Sequence, residues 1–292
     1  LKSLAGHGFM GLNVRGEYGG SEAGTAAFAL SIEAFAGACA STAVTASVTN
    51  MVGEIIQAVG SEEQRQRYLP PLCDGTYAAG AFCLTEAGAG SDPAGMTARA
   101  VMDGNEWVLN GAKLYITSAP YAGVFVVWAV TDPDAAKGKG ISCFLVEAGA
   151  PGLVVGKTET KLGQAGSATC EVSFEDCRLP ADALMGRQND GFRIAVSELA
   201  GGRIGVASLA LGIARAAMDA AIAYARERKQ FDRAIADMQG IQWMIADRET
   251  ELEAARLLIL QAAWLKDQGR QRAGRAQAGR RQIAGRAQAE RR

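Results

Sequence analysis

The first eighty residues place apolar positions at helical spacing. Residues 22–40, "EAGTAAFALSIEAFAGACA", are small and apolar nearly all round, which predicts a buried helix. Ser41 and Thr42 can cap a second helix that runs to about Val59. Ser61, with Gln64 three residues on, has the form of a capping box for a third. Pro70-Pro71 is expected to stop that third helix. From Gly80 to about Pro180 the period shortens to strand-like runs: "GAFCLTE", "WVLNGAKLYIT", "GVFVVWAV", "ISCFLVEA", "GLVVGKTE" and "ATCEVSFEDCRL". Turn chemistry separates them at Asp103-Gly104-Asn105, Asn110-Gly111, Asp132-Pro133-Asp134 and Pro151-Gly152. Short, evenly spaced strands without intervening helices predict an antiparallel barrel or sandwich.

After Asn189 two long helical patterns follow, the second with Ile241, Met244, Ile245, Leu252, Ala255, Leu258 and Ile259 on one face. Two helices cannot bury both of their apolar faces alone. Partners must come from elsewhere in the chain, from another subunit, or from residues outside this sequence. The fold class is therefore α+β and multidomain. An all-α domain spans 1–79, a central β-domain 80–185, the first helices of a bundle 186–268, and an Arg/Ala/Gly/Gln-rich tail 269–292.

Composition narrows the function classes. The chain has 292 residues, 49% hydrophobic and 21% charged, enough for two or three packed units of an ordinary globular protein. No run approaches the roughly 18 consecutive apolar residues of a membrane-spanning helix, and no basic-then-apolar leader opens the sequence. Neither a membrane span nor export is expected. The sequence opens on Leu1 and not Met, which leads us to expect that its true beginning is missing. Six cysteines without a Cys-x-x-Cys pair, and a single histidine, His7, argue against a metal site or disulfide framework. They fit a reducing compartment. Unless His7 takes part, Ser–His or Cys–His nucleophilic pairs are excluded.

The net charge of −1 hides an asymmetry: residues 269–292 hold eight Arg and one Glu, and the rest of the chain is acidic. "AGRAQA" occurs twice in that tail. It has the composition of a disordered basic arm, but a frameshifted or misassigned end fits better, because a low-complexity block replacing half a bundle leaves the first half uncovered. No nucleic-acid partner is expected.

Residues 84–92, "LTEAGAGSD", carry the chemistry. A loop without bulky side chains can aim backbone N–H groups at an anion, and the hydroxyls of Thr85 and Ser91 can donate or accept. The spacing breaks G-x-G-x-x-G at its third glycine, and no Gly-Lys-Ser/Thr follows, so it is neither a Rossmann nor a Walker loop. Taken alone it is a turn or a phosphate site.

It does not stand alone. "AFCLTEAGAGSD", "LNGAKLYIT" (109–117), "GGRIGVA" (201–207) and "ARERKQFDRAI" (225–235) resemble, in order and spacing, the acyl-CoA dehydrogenase family. So do "GFMGLNVRGEYGG", "GSEEQRQRYLPPL" and "VSFEDCRLP", and the resemblance covers roughly residues 1–268. It implies the same order of helical, β and helical domains. It implies FAD as cofactor, with Phe82, Cys83, Leu84, Thr85, Gly90 and Ser91 lying along it, Thr85 on the isoalloxazine edge and Ser91 near the pyrophosphate. Tyr115 would pack on the flavin, with Ile116 beside it and Thr117 bonding it. Arg228, Lys229, Gln230 and Gln239, the last one turn into its helix, resemble a segment that reaches the FAD of a neighbouring subunit, which implies a homo-oligomer, dimer or tetramer. Ser91, Ala200, Gly201, Gly202 and Arg203 would contact acyl-CoA.

The implied reaction is oxidation of an acyl-CoA thioester to the trans-2-enoyl-CoA, with electrons passing to electron-transfer flavoprotein. It needs a glutamate base in an apolar site that raises its pKa toward neutrality. This chain lacks the Tyr-Glu-Gly-Thr-like segment that carries the base in most members, and Gly202 stands where other members place it. Ala200 likewise stands where the family usually has Asp. Glu198, one turn before Gly202, is the remaining candidate. An FAD- and CoA-binding homologue without dehydrogenase activity is the alternative.

Overall fold

The structure, a computed structural model, describes residues 1–269. The tail reading falls on residues 270–292, outside the described residues. Four helices come first: α1 (Lys2–Gly6), α2 (Thr25–Ala38), α3 (Ala40–Val59) and α4 (Glu62–Cys73). Helix α2 buries only one face, through Phe28, Ala29, Ile32 and Ala36, and Leu30 is exposed. The expected all-round burial is corrected: the opposite side of the helix faces out.

Helix α3 starts one residue before the expected cap. A single extended residue, Cys39, joins it to α2 and serves as the break for both helices, so Ser41 and Thr42 fall inside the first turn. The capping box of α4 forms as read: the Gln64 amide N–H donates to Ser61 Oγ, and the Ser61 N–H donates to Gln64 Oε1. Pro70 and Pro71 do not stop α4. Each removes one N–H donor, but the carbonyls of both still accept, from Asp74 N and Tyr77 N, so the helix runs on to Cys73.

The β-domain contains β1 (Ala79–Cys83), β2 (Arg99–Asp103), β3 (Glu106–Thr117), β4 (Ala122–Val130), β5 (Ile141–Glu147), β6 (Leu153–Thr158), β7 (Thr169–Pro180) and the short β8 (Leu184–Met185). The sheet order is β6-β7-β3-β2-β4-β5-β8, with β1 added in parallel to β4; most other pairs are antiparallel. Asn110-Gly111 is not a turn but part of β3, opposite a bulge of β7 at Glu175-Asp176 where the register shifts. Gly111 has φ +138°, and a Cβ there would lie 2.7 Å from Ala98 Cα. The missing side chain is how β3 passes that backbone.

Strand β4 explains its own unbroken apolar run. Val124, Val126 and Trp128 face a core shared with α3, α4 and the following long helix. Phe125, Val127 and Ala129 face a second core made only of β-domain residues, among them Trp107, Leu109, Phe144 and Phe174. A strand buried on both sides cannot alternate.

Two long helices follow, α5 (Gly191–Glu227) and α6 (Gln239–Asp267), joined by a hairpin of β9 (Lys229–Gln230) and β10 (Arg233–Ala234). Among the described residues, α5 is the one helix long and apolar enough to cross a membrane by length and composition. Here it packs against α2, α3, α6 and β5, and the Trp128 indole donates to its first carbonyl, Gly191 O, at 2.8 Å. The N-terminal helices thus supply part of the cover that α5 and α6 lack for each other. Trp243, Met244, Leu257, Leu258 and Trp264 of α6 remain exposed.

Candidate cofactor and substrate site

The loop 84–92 leaves β1 and is fixed from behind. Thr85 O accepts from Leu114 N (2.8 Å), and Glu86 and Ala89 exchange two backbone bonds. The buried Glu86 carboxylate accepts from Thr97 N (2.6 Å), Thr97 Oγ1 (2.8 Å) and Ala98 N (3.0 Å). Lys113 Nζ, at 0% side-chain exposure, donates to Glu86 Oε1 at 2.7 Å. Burial alone would raise the Glu86 carboxyl, but Lys113 and Thr97 outweigh it and hold the group below the usual carboxylate range.

The outer side of the loop is open. A Cβ added at Gly88 or Gly90 would meet nothing within 4 Å, and neither residue has a left-handed φ. Nothing in the described chain asks for glycine there. The bare backbone suits close approach by something outside the chain, with the Ser91 hydroxyl exposed at its end and Thr85 half-buried at its start. Asp92 pairs with Lys137 of the β4–β5 connection.

The Leu114–Thr85 bond brings "LYIT" against this loop. The register of β3 shifts again between Lys113 and Ile116, which turns Lys113 and Ile116 inward and Tyr115 outward. Tyr115 has φ +59° and is 67% exposed. A bulky residue held in the left-handed region is strained, and such strain gathers at ligand sites. Thr117 stands half-buried two residues on. This combination of open backbone, strained exposed aromatic and accessible hydroxyls fits a planar, hydrogen-bonding ring system carrying a phosphate.

Phe82, Cys83 and Leu84 are the inner side of the same segment. Phe82 packs at a tilt on Trp128 with ring centroids 4.5 Å apart, Cys83 is fully buried, and Leu84 lies in the core. Ala200 to Arg203 follow Leu199 on α5. Gly201 and Gly202 have a packing reason of their own: a Cβ would lie 2.8 Å from Lys266 Nζ and 2.9 Å from Met51 Sδ, respectively. Ala200 is half-buried and Arg203 exposed.

The second predicted group lies apart from the first. From Arg203 to the end of α5 the axis advances about 36 Å at 1.5 Å per residue, and Arg228, Lys229 and Gln230 sit exposed on the hairpin beyond it. Gln239 is the first residue of α6 rather than one turn into it.

Glu198 lies on α5, two residues before Ala200. It lines a cavity of about 340 Å³ with Asn13, Glu54, Gln57 and Lys266, and no residue of 82–92 or 115–117 borders that cavity. Burial, then the charge of Glu54, push its carboxyl up to about 7, with Lys266 opposing. Its tuning suits a general base.

The sequence reading missed Glu86 and Lys113. One signal was present: Lys113 shares strand parity with the buried Trp107 and Leu109, so alternation turns a cation inward and requires a carboxylate to meet it.

Three family profiles match in chain order: the acyl-CoA dehydrogenase N-terminal domain over residues 1–76, the middle domain over 81–177 and the C-terminal domain over 189–288. The chain belongs to the acyl-CoA dehydrogenase family. Members are FAD flavoenzymes, oxidoreductases acting on CH–CH donors. This acyl-CoA dehydrogenase chain is 44% identical to the acryloyl-CoA reductase (NADH) of Anaerotignum propionicum, over 92% of its own length and 68% of that protein's. It is 42% identical to the short-chain specific acyl-CoA dehydrogenase of Clostridium acetobutylicum, over 92% and 71%. The butyryl-CoA dehydrogenase of Megasphaera elsdenii superposes with a TM-score of 0.89 at 38% identity, covering 92% of this chain and 71% of that one. The order of helical, β and helical domains expected from the sequence is that of the family.

Proposed function

We propose that this protein oxidises a short acyl-CoA thioester to the trans-2-enoyl-CoA, with FAD bound along residues 82–91 and 115–117. The observation that carries the reading is the open glycine backbone of 88–90 beside the strained, outward Tyr115. FAD supplies the two-electron oxidant. The chain's own residues bind and orient it: the Thr85 and Thr117 hydroxyls hold the ring edge, Tyr115 covers its face, and the 88–91 backbone with Ser91 takes the pyrophosphate. Gly201, Gly202 and Arg203, with Ser91, line the acyl-CoA path. Arg228, Lys229, Gln230 and Gln239 lie too far along α5 to serve the same loop, which supports their reaching the FAD of a second subunit in a dimer or tetramer. The acceptor is electron-transfer flavoprotein, in the bacterial cytoplasm or mitochondrial matrix, and the domains divide at 1–79, 80–185 and 186–268. No base is assigned; Glu198, tuned by burial and Glu54, is the candidate this chain offers.

Anaerobic mixing of the FAD-loaded protein with butyryl-CoA tests this. Loss of the oxidised-flavin absorbance with appearance of the enoyl-CoA is the expected result. A yellow protein that binds the thioester without bleaching would refute the dehydrogenase activity and leave a binding homologue.

A further inference from the structure

Lys113 is the most deeply buried charge among the described residues, and the reaction makes no use of it. Its ammonium touches three groups, all on the segment between β1 and β2: Leu84 O at 3.3 Å, Glu86 Oε1 at 2.7 Å and Met96 Sδ at 3.8 Å. Glu86 in turn holds Thr97 and Ala98, at the far end of the same segment. One ion pair therefore ties both ends of the 84–98 excursion to strand β3, next to the bulge that turns Tyr115 outward. The loop cannot hold this shape through its own glycines, since they are open on the outside and free of left-handed strain.

We propose that the Lys113–Glu86 pair is a positioning device that sets the backbone of 84–92 in the shape presented to the flavin. This rests on the cofactor reading given above. A buried ion pair gives little net stability compared with an apolar replacement of the same volume, because desolvation offsets its attraction. What it confers is direction: two charges with fixed hydrogen-bonding geometry admit one loop conformation where methylene packing would admit several. Lys113 also lies on the same strand as Tyr115 and Thr117, so the pair locks together the two segments that must flank one ring.

The test uses the full chain with Lys113→Met and Glu86→Gln combined, which removes both charges and keeps volume and an acceptor for Ala98. Ile32→Ala, in the separate helical core, serves as a control for general destabilisation. Hydrogen exchange of the ligand-free protein should show faster exchange confined to 84–98 in the double variant, and FAD titration should show an affinity loss of at least tenfold. Ile32→Ala should lower the melting temperature with neither effect. Unchanged exchange over 84–98, or loosening spread evenly over the fold, overturns the proposal. Should the double variant not fold, Thr97→Val deletes one donor to Glu86 and leaves the ion pair, and the same selective exchange is expected with a threefold or larger affinity loss. A wild-type chain that takes up no FAD overturns the cofactor reading itself, and this assignment with it.

Discussion

Replacing Glu198 by Gln should stabilise the protein above neutral pH and do nothing in acid. The Glu198 carboxyl is pushed from its ordinary 4.5 up to about 7, first by burial and then by Glu54, against the pull of Lys266. A carboxyl whose pKa is raised in the fold is bound more tightly as the acid. The penalty for ionising it is absent below about pH 4.5, grows between there and pH 7, and is complete above. The interval corresponds to at most about 3 kcal/mol, and relaxation around the cavity it shares with Glu54 and Lys266 lowers the expected gain to about 1–2 kcal/mol. For a chain of this size that is a rise in melting temperature of about 2–6 °C. Thermal unfolding of both proteins at pH 5, 6.5 and 8 measures it. A difference between wild type and Glu198→Gln that stays constant across the three would refute the reasoning, for then no proton is linked to this site.

Three further outcomes follow from named contacts. Asp267→Ala should cost about 1–2 kcal/mol, because Asp267 accepts from Thr25 N (2.7 Å) and Ala26 N (3.1 Å) at the start of α2, where Gly24 has no side chain to cap with; chemical denaturation with an unchanged m-value checks it. Ser61→Ala should cost about 1 kcal/mol through the lost capping box of α4, and a shift below a few tenths in the same assay would discount the cap. Tyr115→Gly relieves a left-handed φ of +59°, so stability should hold or rise by up to about 1 kcal/mol while FAD affinity falls; loss of both would mean the ring serves the fold.

The parts legible in the sequence are those set by local rules. The Ser61 box, the helix-strand-helix order and the uninterrupted β4 all follow from spacing over a few residues. The loop at 84–92 was legible as a site by resemblance, and its openness bears on that reading in physical terms. What escaped depends on distant partners or on backbone register. "LYIT" reads as plain strand, and nothing in it announces the shift that expels Tyr115. Asn110-Gly111 has the chemistry of a turn but stays inside β3, with the bare Gly111 against Ala98. Strand β2 was missed because "RAVMD" is short and mostly exposed. Glu86 meets Lys113 across 27 residues, and Glu198 is tuned by Glu54 and Lys266 from two other helices, so neither pairing has a sequence period.

The cap on α2 has a consequence for how the chain is made. Thr25 is paired with a residue 242 positions later, so the first N–H groups of that helix find their partner only when α6 has been synthesised to its last residue. Lys266 adds a second clasp to Glu54 on α3 from the same place. While synthesis proceeds from the N-terminus, α3 can pack on β1, but α2 finds its main partner only in α5 and stays frayed at one corner until α6 is complete. The helical domain therefore matures last although it emerges first, and a nascent chain stalled before residue 267 offers that corner to chaperones and proteases.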